Sequence, residues 1–158
     1  MGGIGKNGHN DIQVKRKIIA LYTLSIKLKE TYNECQYYMS FEDLKAFYET
    51  SFFTKSKFCN QLHDLIKTNN ALDLFLPKVK STYYISYITL CLIFKSKEIE
   101  YLLNNALVLE EKSFEILKEL AALEHSKGNV VIEEFISRHS QQQPERISSL
   151  KKMINTHY

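Results

Sequence analysis

Residues that interrupt helices are scarce in this sequence and confined to a few places. The 158 residues include only two prolines and five glycines, and four of these glycines lie within the first eight residues. Helix-forming Leu, Lys, Glu and Ile dominate the remainder. Long segments without either residue type, with apolar residues spaced three and four apart, are typical of amphipathic helices. The sequence therefore predicts an all-α fold.

Helical spacing and capping residues delimit four long segments. We expect helices over residues 10 or 11 to 39, 40 to 70, 95 to 127 and 130 to 154. Pro144 lies inside the last segment and removes one backbone donor, so a kink or break is expected near 141–144. Between the second and third segments, Pro77 marks an extended connection. Two long helices, a long connection and two more helices describe a four-helix bundle with one long crossover connection.

The chain length fits one domain with an ordinary hydrophobic core. Residues 1–10 are polar and glycine-rich, so we expect a flexible N-terminal arm there, and residues 11–158 form the bundle. The apolar run Tyr83–Phe94 fits either a helix or a strand, because it is rich in β-branched and aromatic residues. It is well short of the roughly 20 residues that a membrane span needs, so no span is expected.

Four polar side chains fall on the predicted inward faces of the helices. They are Lys55, Glu110, His139 and Gln143. A carboxylate on an apolar face costs several kcal/mol unless a cation, a metal or a set of donors meets it. We predict that Glu110 pairs with Lys55; metal ligation by Glu110, or a misplaced helix face, are the alternatives. A lone inward histidine such as His139 is more often a core residue than a metal ligand.

The remaining inward positions are apolar. On the third helix the predicted stripe is Leu107, Glu110, Phe114, Leu117 and Ala121. The predicted stripe of the first helix is Ile18, Leu21, Leu24, Leu28, Tyr32 and Cys35. That of the second helix is Leu44, Phe47 or Tyr48, Phe52, Lys55, Phe58 or Cys59, Leu62 and Ile66. That of the fourth helix is Ile132, Phe135, His139, Gln143, Ile147 and Leu150.

Charge and cysteine content restrict the partners and the compartment. The net charge of +3 arises from 21 basic and 18 acidic residues spread along the chain, so no nucleic-acid-binding stripe is predicted. Cys35, Cys59 and Cys91 form no Cys-x-x-Cys pair and stand among apolar residues, which indicates reduced core thiols. With no apolar signal region at the N-terminus, we expect a cytoplasmic protein. No Ser or Cys lies in a readable nucleophile motif.

The segment from Ala106 to His139, "ALVLEEKSFEILKELAALEHSKGNVVIEEFISRH", resembles the third and fourth helices of eukaryotic ferritin subunits. "LY" at Leu21–Tyr22, "LKAF" at Leu44–Phe47 and "LFLPKVK" at Leu74–Lys80 resemble the first helix, the start of the second helix and the long connection, in order and spacing. The resemblance covers about four-fifths of the chain. It implies a ferritin-like bundle and an iron-storage protein that assembles into a hollow shell.

The resemblance also assigns the positions of the family's iron-oxidising centre. The first-helix glutamate falls on Ala20 and the nearby tyrosine on Lys27, while the second-helix Glu-x-x-His pair falls on Lys55 and Phe58. The third-helix glutamate falls on Glu110, and the fourth-helix glutamine on Gln143 or beside it. Lysine in place of the second-helix glutamate resembles the light-type subunits, which lack the oxidase.

The function predicted at this point is a divergent ferritin subunit for intracellular iron storage or iron binding, without a complete ferroxidase centre. Glu110 and Gln143 are the candidate metal ligands, and iron is the expected metal. The expected partners are copies of the same chain in a shell-like homo-oligomer, or other ferritin subunits. The alternative is a helical-bundle scaffold or interaction protein that has lost iron handling.

Overall fold

Four long helices make up the described structure. The computed structural model describes residues 4–39, 41–68, 98–123 and 130–158. In chain order the helices are α1 (Ile4–Tyr38), α2 (Glu42–Thr68), α3 (Glu98–Leu123) and α4 (Val130–His157). Within these ranges the chain is all-helical, as predicted. The Tyr83–Phe94 run and the Pro77 connection lie outside the described residues.

The helix ends follow the predicted boundaries except at the N-terminus. Helix α1 begins at Ile4, before the expected start at Asn10 or Asp11. Once a helix is nucleated, each further residue adds one backbone hydrogen bond. These hydrogen bonds offset the low helix propensity of Gly5 and Gly8. The flexibility of residues 1–10 stays a prediction.

Pro144 does not end the last helix, because α4 is helical on both sides of it. A break is therefore contradicted, whereas a kink stays a prediction. The proline ring lies on the exposed side, and the buried residues on either side of it are Ile132, Ile136, His139, Gln143 and Leu150. Burial on both sides holds the helix together although one backbone donor is missing.

Two hydrophobic clusters show how the helices run. The first cluster joins the first half of α1, the second halves of α2 and α3, and the first half of α4; its residues are Val14, Ile18, Leu21, Phe58, Leu62, Leu65, Ile66, Leu117, Leu120, Ile132 and Ile136. The second cluster joins the opposite halves of the same helices; its residues are Leu28, Tyr32, Cys35, Leu44, Tyr48, Leu102, Leu103, Ala106 and Leu150.

These clusters fix the relative directions of the helices. Helix α1 runs antiparallel to α2 and to α3, and α3 runs antiparallel to α4. Helices α2 and α3 consequently point the same way, although they follow each other in the sequence. Helix α1 packs mainly against α2 and α3, and α4 mainly against α3. The described helices form a four-helix bundle.

The inward face of α3 differs from the predicted stripe. Leu107 and Phe114 are only half-buried and Ala121 is exposed, whereas Ala106, Ser113 and Leu120 are buried. The face is rotated by about one residue, because small side chains lie where the helices approach each other closely and larger ones lie at the edges of the contact.

The other predicted features of the core agree with the structure. Cys35 and Cys59 are buried free thiols, as expected, and Cys91 lies outside the described residues. Burial raises the pKa of Cys35 to about 12 and that of Cys59 to about 11, so both stay protonated at neutral pH. None of the described helices is long and apolar enough to cross a membrane.

Candidate functional site

A layer of polar side chains separates the two hydrophobic clusters. Each helix contributes to it at mid-length, where the cores above and below are apolar. The buried polar residues of this region are Ser25, Thr31, Lys55, Glu110, Ser113, His139 and Gln143. Buried polar groups of this kind carry a free-energy cost unless hydrogen bonds satisfy them.

Lys55 and Glu110 form an ion pair at the centre of the layer. The Lys55 Nζ atom lies 2.8 Å from Glu110 Oε2, and each residue is only 2% exposed. The pair joins α2 to α3, two parallel helices that the principal packing contacts leave apart. The predicted pairing of these two residues is therefore confirmed.

Two neutral side chains complete the environment of Glu110. The Tyr32 hydroxyl donates to Glu110 Oε1 at 2.9 Å. The Gln143 side-chain amide donates to Glu110 Oε2 at 2.5 Å and to the Glu110 backbone carbonyl at 3.1 Å. The carboxylate thus accepts hydrogen bonds from α1, α2 and α4, and Glu110 connects all four helices.

The hydrogen bonds fix the charge state of the cluster. Burial alone would raise the pKa of Glu110, but the Lys55 charge and the donors on Lys55, Gln143 and Tyr32 outweigh it and lower this pKa below its usual value. Burial, reinforced by the negative charge of Glu110, raises the pKa of Tyr32 well above its usual range. At neutral pH the cluster therefore contains an ionised glutamate and a protonated tyrosine that donates to it.

His139 lies beside this cluster without a hydrogen-bond partner. It is 3% exposed, and within the described structure neither ring nitrogen is bonded. Its ring centroid lies 4.4 Å from those of both Phe58 and Phe135. Burial, together with the charges of Arg146, Arg138 and Lys55, lowers the pKa of His139 to about 4. The ring is a neutral core residue at neutral pH, but the hydrogen bond expected of a buried histidine is not found among the described residues.

Two positions that the resemblance assigned on the first helix do not reach the cluster. Ala20 is exposed and Lys27 is half-buried. Ser25 and Tyr32 occupy the inward face instead, and they have the same seven-residue spacing. The structure therefore does not place Ala20 and Lys27 at the cluster, and Tyr32 is the α1 residue that contacts Glu110. Tyr32 had a visible signal, because a buried tyrosine on an inward stripe needs a partner for its hydroxyl.

The two candidate metal ligands are close together, but they bond to each other. Gln143 donates its amide to Glu110, and both Glu110 oxygens already accept hydrogen bonds. Among the described residues, no group of three His, Cys, Asp or Glu side chains is placed to hold a metal. Metal ligation by Glu110 and Gln143 stays a prediction.

A cavity of about 440 Å³ opens beside the polar layer between α2 and α4. Arg146 lies in its wall, and no sequence pattern singled this residue out. It bonds to Gln142 and Gln143, and its guanidinium carbon lies 5.9 Å from the centre of the Phe58 ring. The described residues that line the cavity are Tyr32, Phe47, Thr50, Ser51, Thr54, Lys55, Glu110, Gln142, Glu145, Arg146 and Ser149.

Known proteins give no further guide to this geometry. No protein-family model, curated protein or solved structure matches the chain. The residues of the layer and the cavity are therefore the basis for inferring a function.

The ion pair predicts a double-mutant result. Lys55→Met leaves Glu110 charged and buried, and we expect it to lower the free energy of unfolding by about 3–5 kcal/mol. Adding Glu110→Gln removes the charge but keeps an acceptor for Tyr32 and Gln143, so the double variant should recover most of this loss. Urea denaturation measures all three free energies. Equal loss in the single and double variants would contradict the pairing.

His139 predicts a loss of stability in mild acid. Since its pKa is lowered from 6.5 to about 4 in the fold, the unfolded chain takes up the proton first, and stability is lost as the pH falls through this window. The total loss should be about 3 kcal/mol. Glu110, whose pKa is also lowered in the fold, gives a loss of the same sign, but only as the pH falls through its ordinary value of 4.5, so the loss above pH 5 is mainly that of His139.

The matched variants for this pH effect are His139→Leu and His63→Leu. The first should flatten the dependence of unfolding free energy on pH between 6.5 and 5, because the titrating ring is gone. The second removes a half-buried histidine elsewhere on the bundle and should leave the slope produced by His139. Identical slopes in wild type and His139→Leu would show that another group is responsible.

Proposed function

We propose that this chain is a ferritin-like subunit of the non-oxidising, light type, which acts as a structural subunit of a cytoplasmic iron-storage shell. The observation that carries the proposal is the meeting of Lys55, Glu110 and Gln143. The resemblance assigns these three residues, from three different helices, to ligand positions of one metal centre. In the folded chain Lys55 and Gln143 both donate to the Glu110 carboxylate.

The first helix supports the same assignment when the resemblance is moved along it by five residues, from Ala20 and Lys27 to Ser25 and Tyr32. The family pattern places a glutamate and a tyrosine seven residues apart on that helix. Ser25 and Tyr32 have this spacing and are both buried, and Tyr32 donates to Glu110. The tyrosine of the pattern is therefore matched in chemistry, and serine replaces the glutamate.

The helix directions support a ferritin-like topology. Helix α2 ends beside the first hydrophobic cluster, whereas α3 begins beside the second cluster at the other end of the bundle. The two residues that the connection joins, Thr68 and Glu98, therefore lie at opposite ends of the bundle. A long crossover at this place is the connection that the resemblance implies.

The charges of the layer explain why this subunit would not oxidise iron. A di-iron centre needs several carboxylate oxygens and an imidazole around two cations. Here the ammonium group of Lys55 takes the place of one carboxylate, and the buried phenyl ring of Phe58 takes the place of the imidazole. A fixed positive charge in the same space repels ferrous iron, so iron would be cargo of the shell rather than a cofactor of this bundle.

The alternative is a helical-bundle scaffold that handles no iron. It is favoured by one observation, a depression between α3 and α4 lined by Phe114, Pro144 and Ile147, with Lys118 and Lys151 beside them. This partly apolar surface suits contact with another protein. Assembly behaviour distinguishes the two proposals.

The shell proposal is tested by assembly with and without an oxidase-competent ferritin subunit. We expect size-exclusion chromatography with light scattering to give a hollow many-subunit particle, alone or after co-expression. The chain alone should not accelerate ferrous iron oxidation over buffer, because its layer holds Lys55. A monomer or dimer that never enters co-expressed shells would refute the shell and favour the scaffold.

The positional assignment is tested by rebuilding two ligands. Lys55→Glu with Phe58→His places the Glu-x-x-His pair opposite Glu110, and we expect Zn²⁺ to bind at least about tenfold more tightly than to wild type. Lys57→Glu with Asn60→His is the control, since it makes the same pair on an exposed face of α2. Isothermal titration calorimetry measures both. Equal affinities would mean that the three positions do not form a metal centre.

A further inference from the structure

The cavity beside the polar layer contains a guanidinium group that has no anionic partner among the described residues. Arg146 is half-buried, and its two hydrogen bonds go to neutral amide oxygens, at 3.1 Å on Gln142 and 3.3 Å on Gln143. Within the described structure, the ion pairs use other cations and none involves Arg146. The remaining N–H groups of its planar fork are free to donate.

The surroundings of Arg146 do not neutralise it. Glu110 has Lys55 as its ion-pair partner, and the two charges cancel. Glu145 also lines the cavity, but it is exposed and makes no ion pair with Arg146. Burial lowers the pKa of Arg146, opposed by the nearby negative charge of Glu110, and the group stays cationic at neutral pH. A half-buried cation of this kind favours an anion from outside the chain.

Hydroxyl groups cover the rest of the polar wall. Thr50, Ser51, Thr54 and Ser149 line the cavity. Hydroxyl groups can both donate and accept, so they suit a ligand with several oxygen atoms.

The size and remaining lining of the cavity fit a small molecule. Its volume of about 440 Å³ falls within the usual range for ligand pockets. The half-buried ring of Phe47 supplies an apolar wall, and Lys55 lies at the inner end with N–H groups beyond the one that meets Glu110. A few convergent donors in a partly apolar cavity are the features of a specific small-ligand site.

We propose that this cavity binds a small oxyanion, with its carboxylate or phosphate group on the Arg146 guanidinium and its other oxygens on the hydroxyls of α2 and α4. The bidentate geometry of guanidinium with such groups makes arginine the suitable residue. The proposal does not depend on shell formation, because every residue of the cavity belongs to one chain.

The binding test uses isothermal titration calorimetry of the full chain in a buffer free of carboxylates and phosphate. Inorganic phosphate and citrate are the probes, and glycerol is the uncharged polyol control. We expect saturable one-to-one binding of at least one oxyanion and none of glycerol. The stronger of the two probes tells whether phosphate or carboxylate is preferred. No saturable heat with either oxyanion at millimolar concentration would overturn the proposal.

Matched variants locate the site. Arg146→Gln should weaken binding at least about tenfold, because charged hydrogen bonds are lost. Lys151→Gln removes the same charge from an exposed position on the same helix and should change affinity less than about twofold. Glu145→Gln removes the carboxylate from the cavity lining and should tighten binding. Equal weakening by Arg146→Gln and Lys151→Gln would show non-specific charge attraction and refute the site.

A measurement on the wild-type chain covers the case in which Arg146→Gln does not fold. Amide chemical shifts in a ¹⁵N-labelled sample are followed during titration with the bound oxyanion. The largest changes should fall at Ser51, Thr54 and Ser149, whose side chains line the cavity. Changes centred instead on Lys118 and Lys151, beside the depression between α3 and α4, would refute the proposed location.

Discussion

A buried charge must be neutralised inside the protein, and this requirement organises the centre of the bundle. Glu110 is almost inaccessible to water, yet it stays ionised because Lys55, Tyr32 and Gln143 surround it with donors. These donors come from three helices, so the relative positions of all four helices are specified at one point. Hydrophobic clusters at both ends supply burial, but apolar contacts alone tolerate rotation and sliding of helices more readily than a hydrogen-bonded charge does.

The same layer links structure to function. Its centre contains one carboxylate, one ammonium group and two neutral donors. Its own charges cancel and its hydrogen bonds are internal, so it stabilises the bundle without an added ion. Arg146 stands next to this neutral unit and is not part of it. The positive field that remains faces the cavity, where small molecules have access.

Spacing in the sequence was sufficient to predict the helices and the inward positions of Lys55 and Glu110, because period and polarity are local properties. Spacing did not predict the residues whose burial depends on how neighbouring helices pack against each other. On α3, large Leu107 and Phe114 suggested the buried face, whereas Ala106 and Ser113 occupy the close approach. On α1 the resemblance placed Ala20 and Lys27 at the site. The buried residues there are Ser25 and Tyr32, and finding them requires knowledge of how α1 lies against α3. Arg146 gave no signal, since its unpaired state depends on which carboxylates lie near it in space.

The ion pair also acts between the two halves of the chain. Helices α1 and α2 form one antiparallel hairpin that contains Lys55, and α3 and α4 form another that contains Glu110. Each hairpin alone has an uncompensated charge in the middle of its buried face. Two copies of the first hairpin would bring lysine against lysine, and two copies of the second would bring glutamate against glutamate. Only the pairing of unlike halves cancels the charge, so the buried pair disfavours association of like hairpins from different chains.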